Sequence, residues 1–341
     1  LNAQWTVYNG SKRLKTIEQE KLNNRVADLD VATSENDIEQ SIAQVYIQIL
    51  YAAESVKVNE NTLQVSEAQR DRGKQLLDAG SIARSDYAQL EAQVSTDRYQ
   101  LVTAQATLQD YKLQLKQLLE LDGEQEMQVY LPALGDENVL SPLPTKTDVF
   151  RSAVALRPEI EASKLSVEAS ELGIGIAKSG YLPSVSLTAG IGTNHTSGSD
   201  FTFGEQVKNG WNNSIGLSIS VPIFNNRQTK SAVEKAKLQY QTSQLTLLDE
   251  QKTLYKTIEG LWLDANSAQQ RYAAAIEKLH STQTSYELVS EQFNAGMKNT
   301  VELLTEKNNL LQAQQELLQS KYMAILNTQL LKFYQGDKIT L

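Results

Sequence analysis

The sequence contains no cysteine. That absence excludes disulfides, thiolate zinc sites and cysteine nucleophiles. Histidine is almost as scarce: His195 and His280 stand far apart in the chain, so no metal centre is expected. No run of 18 apolar residues occurs, so no transmembrane helix is encoded. A membrane β-barrel escapes that test, because its strands alternate and average out. Positive charge is not in excess either. A net charge of −9 and a pI near 5.0 exclude a general nucleic-acid binder, which needs cations to neutralise phosphates. There is no nucleophile–base constellation, no phosphate-binding glycine loop and no pair of catalytic carboxylates, so neither an enzyme nor a cofactor is expected. The chain does not open on Met and carries no charged-then-apolar leader.

What is present is an internal repeat. "AGSIARSD" (79–86) and "AGMKNTVE" (295–302) share an Ala-Gly start and a final acid, 216 positions apart. The same offset relates "WTVYNG" (5–10) to "VPIFNN" (221–226), Val45-Tyr46 to Leu261-Trp262, and Leu115 to Leu331. Seven-residue rows run through both copies. Val233, Tyr240, Leu247, Leu254, Leu261 and Ala268 form one row, and Ile258, Ala265, Tyr272, Leu279, Tyr286 and Phe293 another. Their first-copy counterparts are Ile17, Val31, Ile38, Val45 and Ala52, with Asn24 the one polar break, and Ile42, Ile49, Val56, Leu63 and Leu77, with Arg70 the break. A sustained heptad means helices wound about neighbours. Residues 226–293 hold no proline and one glycine, which predicts a single helix of roughly 100 Å. Each copy therefore reads as a long helix, a glycine-marked turn and a returning helix. Gly80 and Gly296 suit the left-handed position that ends a helix. Asp86 and Glu302 suit the first turn of the returning helix, where the macrodipole favours acids.

Two stretches alternate with period two. In 183–192, Val185, Leu187, Ala189 and Ile191 share one face, and Ser184, Ser186, Thr188 and Gly190 the other. In 213–224, Ile215, Leu217, Ile219, Val221 and Ile223 oppose Ser214, Gly216, Ser218 and Ser220. A third strand opens the chain, with Leu1, Ala3, Trp5 and Val7 opposite Asn2, Gln4 and Thr6. An aliphatic face backed by a small polar face is the pattern of a membrane barrel strand. It is also that of a hairpin packed on a core by one face. Tyr181, Phe201, Phe203 and Trp211 fall at strand ends, as interfacial aromatics do. So few strands cannot close a barrel, so any barrel needs several chains. The expected organisation is a first repeat at 1–121, a proline-bearing link at 122–150 and a second repeat at 151–341. The second repeat holds a helix from Pro158, a hairpin at 183–224, a long helix at 226–293 and a returning helix at 299–335. The offset puts first-copy partners of Pro158 and Ser184 before Leu1. About sixty further residues and a signal peptide are therefore expected to precede this sequence.

Three segments together resemble the TolC-like outer membrane efflux proteins. They are "LRPEIEASKLSVEASELGIGIAKSGYLPSVSLTAGIG" (156–192), "SIGLSISVPIFNNRQTKSAVEKA" (214–236) and "FNAGMKNTVELLTEKNNLLQAQ" (293–314). The resemblance implies a mainly α fold with a small β part. Long antiparallel coiled-coil helices would form an α-barrel tunnel in a homotrimer, and strands would join a shared barrel in outer membrane lipid. It implies export from the periplasm, with a periplasmic adaptor and an inner-membrane transporter as partners. It places Asp86, Glu302, Lys298 and Phe293 at the periplasmic aperture. The turns with Gly80, Ser81, Gly296 and Met297 would meet the adaptor. Phe293 stands where the best-known member has a tyrosine, and Thr305 where it has a second acid. The rival expectation is a soluble coiled-coil scaffold or tether. It explains the heptads but not the alternating strands. An enzyme with a helical domain has no residues to support it.

Overall fold

A computed structural model describes residues 1–121, 127–132, 134–135 and 139–339. Part of the expected link at 122–150 thus lies outside the described residues. The elements are β1 (Asn2–Asn9), α1 (Lys12–Asp78), α2 (Arg84–Leu118), α3 (Lys146–Leu156), α4 (Pro158–Lys178), β2 (Ser184–Gly192), α5 (Phe203–Asn209), β3 (Asn212–Ser220), α6 (Gln228–Asn294) and α7 (Thr300–Gln335). They divide into two compact units, 1–33 with 157–253, and 34–156 with 254–341.

The repeat is kept in the backbone. α1 and α6 are both 67 residues long, and their bounds differ by the sequence offset. Neither contains proline, and each has a single glycine, so nothing interrupts the ladder. Both are entered through two successive left-handed residues, Gly10 and Ser11 before α1, Asn226 and Arg227 before α6. Asn9 accepts from the Arg13 N–H at 3.2 Å at the first of these corners.

In the first unit the sheet is antiparallel in the order β1-β2-β3. Register follows the predicted faces: Leu187 lies opposite both Trp5 and Leu217, and Val185 opposite Ile219. Two expectations are corrected. A bulge between Thr6 and Tyr8 leaves Val7 unpaired and sets Tyr8 opposite Val185. An extra residue shifts the pleat by one, so Tyr8 and not Val7 continues the apolar face. The strand expected over 213–224 ends at Ser220. Pro222 offers no N–H to a ladder, and Val221, Ile223 and Phe224 stand exposed outside it. α4 is tied to α1 by Gln19, which donates to the Ala169 carbonyl at 2.8 Å, and to α6 by the Ser170–Ser243 hydroxyl pair at 2.7 Å. Gly10, at φ +67°, is pressed so closely on Leu182 and the Ser179 carbonyl that a Cβ would sit 2.8–2.9 Å from them.

The second unit has the larger core. Ile47 and Leu50 of α1, Ala268 and Tyr272 of α6, and Tyr322, Ala324 and Ile325 of α7 close around Val139. The described end of the link, from Val139, is strapped onto these helices. Gln269 donates to the carbonyls of Val139 and Ser141, both at 2.8 Å, and Trp262 donates to that of Pro144 at 3.0 Å. Lys146 pairs with Glu259 at 2.9 Å and lies over the Trp262 ring. Residues 146–150, at the end of the proline-bearing link, open the 11-residue α3. Its Val149 and Ala153 are fully buried.

Candidate functional site

The candidate site is the pair of helix tips. Both long helices end in the same way. The Gly80 N–H donates to the Leu77 carbonyl at 2.9 Å and the Ser81 N–H to that of Leu76 at 2.8 Å. At the second tip Gly296 donates to Phe293 at 2.9 Å and Met297 to Gln292 at 2.8 Å. Both glycines are left-handed, at φ +71° and +76°, as this double-bonded helix end requires. Nothing lies within 4 Å of where a Cβ would stand on either, so backbone conformation alone selects glycine here.

The acids then start the returning helices. The Ala83 N–H donates to Asp86 at 3.3 Å. Alanine has no acceptor to return, so the first tip has half of a capping box. The second tip has the whole: the Asn299 N–H donates to Glu302 at 3.2 Å, and the Glu302 N–H to the Asn299 side chain at 2.9 Å. Lys298 adds an ion pair to Glu302 at 2.5 Å. The Lys298 hydrogen bond first, and the Asn299 N–H second, hold the Glu302 carboxyl below its ordinary pKa. Both acids are thus helix caps, and Glu302 is neutralised on the spot by its own turn.

The remaining predicted residues separate. Gly80, Ser81, Gly296 and Met297 are exposed, Met297 at 71 %. Phe293 is buried at 2 % and packs with Leu90 and Leu303, so its ring joins the two tips and offers no free surface within this chain.

Sequence reasoning passed over a buried polar cluster two turns above the second tip. Lys307 of α7 forms an ion pair with Asp97 of α2, and both donates to Ser66 of α1 and leaves that hydroxyl bonded to Asp97. Gln93 donates to the other Asp97 oxygen at 2.9 Å. The Lys307 and Asp97 side chains are only 4 % and 2 % exposed. Burial pushes the Lys307 ammonium below its ordinary pKa, and Asp97 pulls against that. The signal was in the spacing: Leu303, Lys307, Leu310 and Leu90, Val94, Asp97 each put a charge where a heptad wants an apolar residue.

Among the described residues no helix is long and apolar enough to cross a membrane, and no cluster could hold a metal. The sequence profile of the family described as "Outer membrane efflux protein" matches residues 149–336, more than half of the chain. The chain belongs to that family. It is 25 % identical over 335 residues to the outer membrane protein TolC of Escherichia coli, covering 94 % of this chain and 66 % of the relative. It is 24 % identical to the outer membrane efflux protein BepC of Brucella suis, covering 86 % and 61 %. The chain thus spans less than two thirds of the length of these curated relatives. Among solved structures, CusC superposes with a TM-score of 0.85 at 19 % identity, over 98 % of this chain and 76 % of that one. That likeness establishes the fold, mainly α with a small sheet.

Proposed function

We propose that this chain is the protomer of an outer membrane export channel of the efflux family. One observation carries the reading: the sheet is inside out for a water-soluble protein. Ile215, Leu217 and Ile219 are 85 %, 66 % and 64 % exposed, and Trp5 is 61 % exposed. The opposite face is Ser, Thr, Gly and Asn in register across the strands: Ser184 meets Ser220, Ser186 meets Ser218, and Thr188 meets Gly216. Exposed aliphatic rows lose the hydrophobic stabilisation that burial supplies, unless lipid supplies it. The small polar face then lines the lumen of a barrel shared between chains.

The helices support the same assembly. Ile17, Val31 and Ile38, one heptad row of α1, remain 46 %, 60 % and 49 % exposed. A homotrimer covers such rows with the helices of neighbouring protomers and builds an α-barrel tunnel through the periplasm. The two tips, with Asp86, Lys298 and Glu302, form its periplasmic mouth. The exposed turns at Gly80–Ser81 and Gly296–Met297 are the contact for a periplasmic adaptor and an inner-membrane transporter. A scaffold without channel activity leaves the sheet face unexplained. The test is light scattering of the detergent-extracted protein, followed by planar-bilayer recording. A trimer with a discrete conductance is expected. A stable, non-conducting monomer would overturn the reading.

A further inference from the structure

The two hairpins, α1–α2 and α6–α7, are copies whose helix bounds agree to within one residue and whose heptad rows correspond except at a few polar positions such as Asn24 and Arg70, so their apolar surfaces are similar. The buried cluster tells one from the other. Its two acceptor positions, Ser66 and Asp97, lie on the first hairpin, and its cation, Lys307, lies on the second. The offset converts Ser66 to Thr282, Asp97 to Ala313 and Lys307 to Glu91. None of these can rebuild the cluster. Thr282 already donates to the carbonyls of its own helix, at 2.9 Å to Lys278. Ala313 is fully buried and has no polar side chain, and Glu91 is exposed.

We propose that Lys307, Asp97 and Ser66 form a one-sided recognition element that lets hairpin α1–α2 pair with hairpin α6–α7 and rejects pairing of either hairpin with a second copy of itself.

The alternatives are each penalised by a specific contact. If two first hairpins paired, Glu91 would occupy the place of Lys307 and face Asp97. Two carboxylates would then be buried together. If two second hairpins paired, Lys307 would face Thr282 and Ala313 and be buried without a counter-ion. Removing one member of a buried pair strands the other charge, which costs far more than an intact pair contributes. A single polar position inside a heptad core is a known way to fix register and partner at the expense of stability. Here it separates two repeats whose apolar patterns largely correspond. The element acts within one chain, so it holds whether or not the chain forms a channel. It bears most on folding at high local concentration, where hairpins of different chains compete.

The absence of native cysteine gives a clean assay. Gln69 donates to the Tyr286 hydroxyl at 2.7 Å across the two hairpins, so position 69 sits at the pairing surface. The single variant Gln69→Cys reports pairing of first hairpins between chains when the refolded, detergent-solubilised protein is treated with a short bismaleimide. Gln69→Cys with Tyr286→Cys reports the correct pairing within a chain. Three backgrounds are compared: Lys307→Asp, the full charge swap Asp97→Lys with Lys307→Asp and Glu91→Lys, which reverses every charge that either pairing would bring together, and the apolar Ser66→Ala, Asp97→Leu, Lys307→Met. Helix content by circular dichroism checks folding. The expected result is at least a tenfold rise in Gln69→Cys dimers in the Lys307→Asp and apolar backgrounds, with the swap returning to the parent yield. The apolar background is expected to fold. Dimer yields at the parent level in both backgrounds overturn the proposal. So does an apolar background that fails to fold, because the cluster would then supply stability and not discrimination.

Discussion

Replacing Leu217 by arginine separates a lipid-facing sheet from a soluble one. Leu217 is near the middle of β3, opposite Leu187, which itself lies opposite Trp5. It is 66 % exposed, so it contributes little packing inside the chain. On a soluble protein, a surface substitution away from special features costs within about 0.5 kcal/mol. On the lipid face of a barrel, arginine near the bilayer midplane costs about 2–4 kcal/mol. At 1.4 kcal/mol per tenfold, that is roughly a 30- to 700-fold loss in the folded-to-unfolded ratio for each chain. Ser218→Arg is the control. It is one residue away and also exposed, but it lies on the small polar face opposite Ser186. Folding into lipid vesicles across a urea series, read by intrinsic tryptophan fluorescence and gel mobility, measures both. Leu217→Arg should shift the midpoint strongly and Ser218→Arg little. Equal midpoints for Leu217→Arg and the parent would refute the assignment of the aliphatic face to lipid.

The tips yield the remaining predictions. In the proposed channel, Glu302→Gln leaves Lys298 unpaired, so each protomer adds one net positive charge to the mouth. Single-channel recordings should then show weaker cation selectivity, Lys298→Gln the opposite, and Asp86→Asn with Glu302→Gln the largest change; identical selectivity in all three would return both acids to capping alone. The Glu302 carboxyl has a lowered pKa in the folded chain. Its stabilisation of the α7 start is therefore complete above the unfolded carboxylate value and is lost as pH falls below that value and through the lower folded one. Hydrogen-exchange protection of amides 299–303 should fall in that window and stay flat in Glu302→Gln. Gly296→Ala should cost about 1–2 kcal/mol, the penalty of a left-handed alanine with open space around it. Gly10→Ala carries the same backbone penalty plus the collision with Leu182 and the Ser179 carbonyl. Chemical denaturation should rank it as the more damaging, and a reversed order would refute that account.

The long helices, their glycine-ended tips, the acidic first turns and the two-faced strands were legible in the residues, because each rests on short-range physics. Proline-free heptads propagate a helix, a left-handed glycine ends it, and period-two alternation declares the faces of a strand. The family resemblance could be seen for the same reason, since its motifs lie at those junctions. Three things required the fold. The bulge that replaces Val7 by Tyr8 on the apolar face depends on how β1 registers against β2, not on β1 itself. α3 does carry a local pattern, with Val149 and Ala153 one turn apart on one face, but only its packing against α7 shows that this short segment beside the prolines is a buried helix. Phe293 could be placed at a tip from its spacing, but that its ring closes on Leu90 follows only from the two hairpins meeting. The clearest division is at Lys307 and Asp97. Taken singly, each reads as a charge that spoils a heptad, and a sequence cannot say whether such a charge is solvated or paired. They lie 210 positions apart, and only the approach of α7 to α2 turns two local faults into one satisfied contact.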